Sequence, residues 1–294
     1  MRITDQILTQ QSIARMQDNL EQLATIQERL ASGNRINRPS DDPVGTSQVL
    51  GFDVVQDQIN QYLRNLDRLD GTLKITNTTL DAALQVLSTV KEVALGVTSG
   101  TLTPEQQATA SSQVQDAFNQ LLWIANSAYS GQYLFSGYQS NTPAYDNNGA
   151  YQGDGGVVQV DAGNGVTIAS NLPGQQVFGS TVIGVDIFGL LTTLRTAINA
   201  NDSATMQASL ASLDQATNQV AQAQAEVGIR SQSLQTQQTR LKGLSSTMAD
   251  LKTQRLKADP NEAITEYMMQ MTALNATREA TAKLLQTSLL DFLR

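Results

Sequence analysis

The sequence predicts a mainly α protein in which long antiparallel heptad helices form a coiled-coil bundle, with a terminal helix pair and a small β-rich insertion. Three observations predict it. Apolar residues recur every seven positions through two long stretches, Phe52 to Val97 and Met206 to Met248. Proline-bearing breaks at Pro39–Pro43, Pro104 and Pro260 separate the periodic segments. Three turn dipeptides, Asn148-Gly149, Asp154-Gly155 and Asn164-Gly165, fall in one window between the two heptad stretches.

The first element is a helix over residues 3–32. Its stripe is Ile13, Met16, Leu20, Leu23 and Leu30, with Gln27 interrupting it, and Gly33-Asn34 ends it as a C-cap. The segment Asn37-Arg38-Pro39-Ser40-Asp41-Asp42-Pro43 follows, and its prolines forbid helix continuation. Asp42 before Pro43 is a helix start, with an oxygen at N-cap and Pro at N1. The helix it opens carries Phe52, Ile59, Leu66, Leu73, Leu80, Leu87 and Ala94 on one heptad position. Val55, Tyr62, Leu69, Ala83, Val90 and Val97 follow three places behind, with Thr76 the polar exception. From Val44 to Ser99 it would run roughly 80 Å, and Gly100 stops it.

Thr103-Pro104-Glu105-Gln106 is a capping box, so a second helix begins at once. Its stripe is Val114, Phe118, Leu121, Ala125 and Tyr129, closed by Gly131, and Trp123 beside it is expected to pack in the core or shell. From 132 to 185 the chain is rich in Gly, Asn, Asp and Tyr with short β-branched runs, which reads as the insertion. Helical spacing returns at Ile187, Leu190, Leu191, Leu194 and Ile198. The second long heptad then runs through Met206, Leu213, Val220, Val227, Leu234, Leu241 and Met248. After Asp259-Pro260 a last helix carries Ile264, Met268, Met271, Leu274, Leu284, Leu285, Leu289 and Phe292.

This layout is symmetric about the insertion. Two heptad helices flanking it fold back on each other, and the chain ends then meet. The expected division is a terminal helix pair from 1–40 and 258–294, a long helical bundle from 41–131 and 186–257, and an outer β-rich insertion from 132–185.

Composition narrows the chemistry. The 294 residues are 40% apolar but only 5% aromatic and 16% charged, which suits narrow apolar seams better than a thick core. There is no Cys and no His, so thiolate nucleophiles, imidazole bases, disulfides and ordinary zinc sites are excluded. A net charge of −8 with no basic run argues against nucleic acid and membrane surfaces as partners. No run of 18 apolar residues marks a membrane span, and the N-terminus lacks the apolar core of a cleaved secretory signal. No cofactor, metal or catalytic residue is expected.

The chain ends carry the functional expectation. Leu284, Leu285, Leu289, Leu290, Phe292 and Leu293 are more apolar surface than one partner helix can cover. With Ile13, Met16, Leu20, Leu23 and Leu30 they form the candidate assembly surface, expected to order when subunits stack. Asp42 and Thr103 are structural helix caps.

Specific segments resemble a known family. Leu30-Ala31-Ser32-Gly33-Asn34-Arg35-Ile36-Asn37 followed by Ser40-Asp41-Asp42 resembles the segment joining the first two helices of bacterial flagellins. The terminal Leu289-Leu290-Asp291-Phe292-Leu293-Arg294 is similar to flagellin C-termini. The Pro-flanked Asn37–Pro43 segment, Leu134-Phe135-Ser136-Gly137 and Tyr151-Gln152-Gly153-Asp154 resemble the family members that join hook to filament. The resemblance implies a flagellin-like fold whose terminal helices form the inner tube of an axial structure. It implies export, unfolded and without a cleaved signal, through the flagellar type III apparatus with a chaperone. The implied site is extracellular, in the flagellum. The implied partners are hook-associated protein 1, flagellin and a ring of like subunits.

Asp41-Asp42 read as a cap at a helix dipole rather than an acid–base pair. Asp146-Asn147-Asn148-Gly149 and Asp161–Gly165 lack the spaced acids of an EF-hand and read as turns, with a surface calcium site left open. An enzyme would need two carboxyls at working separation from only Asp146, Asp154 and Asp161 in the insertion. Arg29, Arg35 and Arg38 read equally as neighbour-bridging or solvated. The filament flagellin itself, or a secreted coiled-coil adhesin or effector, stands as the alternative function.

Overall fold

The structure, a computed structural model, describes residues 2–98, 103–180 and 183–292, with side chains for all of these except 2–6, 8, 9 and 284–292. The predicted stop at Gly100 therefore lies outside the described residues. The chain divides into two compact units, Met1–Gln58 with Leu244–Arg294 and Ile59–Gly243. Helices α1 (Arg2–Ser32) and α7 (Pro260–Phe292) belong to the first unit. The second holds α3 (Pro104–Ala125), two small hairpins and the helices α4 (Gly174–Val177) and α5 (Ile187–Ala200). The long helices α2 (Pro43–Thr98) and α6 (Ser203–Leu256) contribute residues to both units.

The helix starts follow local chemistry. Asp42 Oδ1 accepts from the Gly45 N–H at 2.8 Å to open α2, and Asp186 Oδ1 accepts from Gly189 at 3.0 Å to open α5. Asp202 Oδ1 accepts from Ala204 and Thr205 at the head of α6, and Asp259 Oδ1 from Asn261 at the head of α7. Thr103 and Gln106 complete a reciprocal capping box at α3, with bonds of 3.3 and 2.9 Å. Each carboxylate or hydroxyl satisfies backbone donors that the first helical turn leaves without partners. Asn201 ends α5 in the left-handed region at φ 53°, where an Asn side chain tolerates the strain.

The heptads are buried along the second unit. Leu66, Leu73, Leu80, Leu87, Ala94 and, three places behind, Leu69, Ala83, Val90 and Val97 are all buried on α2. Met206, Leu213, Val220, Val227, Leu234 and Leu241 are buried on α6, with Ala216 and Ala223 between them. Thr76, the polar exception, is also buried, and its hydroxyl donates to the Thr72 carbonyl at 2.8 Å. That bond removes the cost of an unpaired hydroxyl in the seam. The two helices run antiparallel, as side-chain bonds show. Gln238 donates to Asp67 at 3.0 Å and Lys91 pairs with Asp214 in the second unit. Gln56 donates to Ser245 at 2.6 Å and Lys252 pairs with Asp53 at 2.5 Å in the first. In the first unit the seam opens: Phe52, Val55 and Met248 are only half-buried.

Three expectations change. α3 stops at Ala125 instead of running to Tyr129, because Asn126 exchanges bonds of 2.8 and 2.9 Å with the Tyr145 backbone. Ser130 and Gly131, at φ 51° and 80°, then turn β1 (Ala128–Tyr129) back against β2 (Gln132–Tyr133). Trp123 is 78% exposed, since the inward face of α3 is Val114, Ala117, Leu121 and Ile124 and Trp123 points away from it. Asp154-Gly155 is not a hairpin tip; Asp154 Oδ1 instead accepts from the Tyr138 and Gly156 N–H groups at 2.7 and 2.9 Å. Of the three dipeptides, Asn164-Gly165 alone joins two strands, β3 (Gln159–Gly163) and β4 (Val166–Ala169), in antiparallel register.

The insertion is better packed than its composition suggests. Phe135, Tyr145, Phe178 and Phe188 are all essentially inaccessible, with ring centroids 4.9 to 6.3 Å apart in the Tyr145–Phe188, Phe135–Phe178, Tyr145–Phe178 and Phe178–Phe188 pairs. Tyr145 spends its hydroxyl on the Gly179 carbonyl at 3.1 Å. Gly149 sits directly on this cluster at φ +81°, and a β-carbon there would lie 2.3 Å from Phe188 Cβ.

Candidate assembly interface

The first unit is built on α1 packed antiparallel against α7. The inward face of α1 is Met16, Asn19, Leu23, Ile26 and Leu30, of which Leu23 and Ile26 are buried and the others half-buried. The inward face of α7 is Ala263, Tyr267, Gln270, Leu274, Thr277 and Thr281. This face corrects the expected stripe, because Ile264 and Met268 point outward while amides and hydroxyls occupy the seam. Those polar groups satisfy one another. Asn19 Nδ2 donates to Thr277 Oγ1 at 3.1 Å, and Gln270 Nε2 donates to Asn19 Oδ1 at 3.1 Å and Gln22 Oε1 at 2.9 Å. Paired amides fix the register of two helices at a cost in stability relative to an apolar seam.

The chain closes beyond this pair with a short bridge. Arg35 N donates to the Leu256 carbonyl at 2.6 Å, and Ala258 N donates to the Gly33 carbonyl at 3.1 Å. All three arginines of the first turn pair within the chain: Arg29 with Glu266, Arg35 with Asp42 and Arg38 with Glu28. Asp41 accepts from the Arg38 and Asn37 N–H groups, and these backbone bonds hold its carboxyl below the usual range. Asp42 is likewise lowered, first by the Gly45 N–H and then by Arg35. Both acids of the pair therefore serve turn and helix start.

The outward faces are apolar. Among the described residues of the first unit six apolar ones are buried: Leu23, Ile26, Ile36, Val49, Ala263 and Leu274. Ten large ones are exposed: Ile7, Ile13 and Leu20 on α1, Val44, Leu50 and Val54 on α2, Leu244 on α6, and Ile264, Met268 and Met269 on α7. Among the described residues of the second unit the balance is reversed, with thirty-nine apolar residues buried and eight large ones exposed. The first unit thus has a surface that resembles half of an interface.

The residues expected at the assembly surface fall in three groups. Ile13 and Leu20 are exposed, Met16 and Leu30 half-buried, and Leu23 is covered within the chain. The side chains of Leu284, Leu285, Leu289 and Phe292, and Leu293 altogether, lie outside the described residues. Val44, Leu50 and Val54 were not anticipated. Their signal was there to find: all three are apolar yet fall off both heptad positions of α2.

Elsewhere the acids of the insertion are dispersed into separate duties. Asp146 Oδ1 accepts from Asn148 and Ala150, Asp154 Oδ1 from Tyr138 and Gly156, and Asp161 is exposed on strand β3. Among the described residues no three acidic side chains converge as a metal site would require, and no helix is long and apolar enough to cross a membrane.

Residues 3–140 match the bacterial flagellin N-terminal helical region. Nearly half of the chain is thus similar to the N-terminal helical region of flagellins. It is 27% identical to flagellar hook-associated protein 3 of Escherichia coli K12, covering 95% of this chain and 96% of the relative. It is 26% identical to flagellar hook-associated protein 3 of Salmonella typhimurium LT2, over 94% and 95% of the two chains. The solved structure of a flagellar hook-associated protein from Vibrio parahaemolyticus superposes with a TM-score of 0.68. It covers 74% of this chain and all of that one at 22% identity, which shows a shared fold. The matched N-terminal region contains the Leu30–Asn37 and Ser40–Asp42 segments. Beyond residue 140 the similarity is carried by the hook-associated relatives, which match over 95% of the chain.

Proposed function

We propose that this flagellin-type chain is a structural axial protein of the bacterial flagellum that forms the junction between hook and filament. The observation that carries the reading is the first unit, whose described residues turn ten large apolar side chains outward and bury six apolar ones. A surface of that kind marks an interaction site. Full-length similarity to hook-associated protein 3 supplies the place of assembly.

In this reading the chain works in three parts. The terminal pair, 1–40 with 258–294, makes the axial contacts through Ile13, Leu20, Ile264 and Met268, with Leu284, Leu285, Leu289, Phe292 and Leu293 adding to them. The bundle of 41–131 and 186–257 forms a shell, and 132–185 is the outer domain. Hook-associated protein 1 lies on one side, flagellin on the other, and like subunits complete a ring. The subunit reaches its extracellular site through the flagellar type III export apparatus, escorted by a chaperone. It performs no catalysis.

Deletion of the gene in a motile host tests the proposal. The expected phenotype is a retained hook, no filament, and flagellin shed into the medium. Normal filaments on the deletion strain overturn it.

A further inference from the structure

The chain contains the dipeptide Asn-Gly twice in its outer region, at Asn148-Gly149 and Asn164-Gly165. This dipeptide is chemically labile, since a glycine nitrogen meets little steric hindrance in attacking the preceding side-chain amide. The fold treats the two copies differently. Gly149 is buried against Phe188, and its N–H donates to the Asp146 carbonyl at 3.0 Å. The flanking Asn148 and Ala150 N–H groups both donate to Asp146 Oδ1, at 2.8 and 2.9 Å. The attacking nitrogen and both its neighbours are therefore held. Asn164 and Gly165 are exposed at the tip of the β3–β4 hairpin, outside its paired residues. Among the described residues the Gly165 N–H has no acceptor, and a β-carbon at Gly165 would meet nothing within 4 Å.

We propose that Asn164 is a site of spontaneous amide-to-acid conversion in the folded chain, and that Asn148 is locked against the same reaction. Solvent base takes the Gly165 N–H proton and the nitrogen attacks Cγ of Asn164. The new N–Cγ bond forms as the Cγ–Nδ2 bond breaks, and the amide nitrogen leaves as ammonia after taking up a proton. Water then opens the five-membered imide at either carbonyl. One opening gives aspartate, the other isoaspartate with an extra methylene in the main chain. No electrons are transferred. Either product adds one negative charge, and isoaspartate lengthens a hairpin whose strand β3 is pinned by Gln237 to the Ala162 carbonyl at 2.8 Å and by Asn65 to the Asp161 carbonyl at 3.3 Å.

The test incubates the intact chain in mildly alkaline buffer and follows both sites by peptide mapping with mass spectrometry, natively and in denaturant. In the native chain Asn164 is expected to convert about tenfold or more faster than Asn148, because Asn148 must first break its loop open. In denaturant the two rates are expected to converge, since the dipeptide is then all that matters. Equal native rates, a faster Asn148, or an Asn164 that stays intact while the denatured chain converts all overturn the proposal.

Discussion

The two faces of α7 make opposite predictions, and the pair I264S/M268S against L274A separates them. Ile264 is 48% exposed and Met268 64% exposed, whereas Leu274 is 4% exposed. Full burial of a side chain of this size contributes about 1.5–3 kcal/mol, so covering the half still open gives about 1 kcal/mol each. The double substitution should then weaken each subunit's association by about 2 kcal/mol, roughly 30-fold. It should cost the folded subunit clearly less than L274A does, because both side chains face away from the seam. L274A removes a side chain from the seam and should cost the subunit about 2–5 kcal/mol. Thermal unfolding followed by circular dichroism measures the stability of the subunit. Incorporation into the axial structure of a complemented deletion strain, scored by filament formation and motility, measures its association. A double variant that melts like L274A, or that assembles at parental level, refutes the assignment of the outward face.

Further outcomes follow from single groups. T103A breaks the capping box and should destabilise the α3 region by about 1 kcal/mol, read as a lower midpoint in urea. G149A forces a β-carbon onto Phe188 at a positive φ and should cost at least 2 kcal/mol, with near-ultraviolet circular dichroism showing a loosened aromatic cluster. Burial raises the Tyr145 phenol and pushes that of Tyr151 up to about 12, so their contribution is complete below the ordinary value of 10 and is lost as pH rises through the raised values. Tyrosinate absorbance should therefore show these two titrating late, together with alkaline unfolding, and Y151F should remove part of that late phase. Asp41 and Asp42 have lowered values, so their stabilisation is present above the ordinary 3.8 and is lost as pH falls through the folded-state values. D42N should flatten the acid limb of the melting profile.

Much of the fold was legible because its signals are local. A seven-residue period states which side of α2 and α6 is buried, and aspartates before the first helical turn state where helices begin. Leu66, Leu80 and Leu213 were placed by spacing alone and are completely inaccessible. The end of α3 was not legible, since it depends on Asn126 bonding to Tyr145, nineteen residues away. The aromatic cluster was missed for the same reason. Phe135, Tyr145, Phe178 and Phe188 show no common period, and glycines at positive φ, Gly137, Gly149 and Gly179, interrupt the chain between or beside them.

The sequence by itself determined the helices, their breaks and the heptad seams, because periodicity and capping act over a few neighbouring residues. Tertiary structure alone decided which apolar residues at the chain ends face inward. Ile264 and Met268 looked like seam residues, yet the seam took Asn19, Gln270 and Thr277, whose hydrogen bonds satisfy one another only when both helices are present. A polar group's burial cost depends on its partner, and the partner lies 251 residues away for Gln270 and 258 for Asn19.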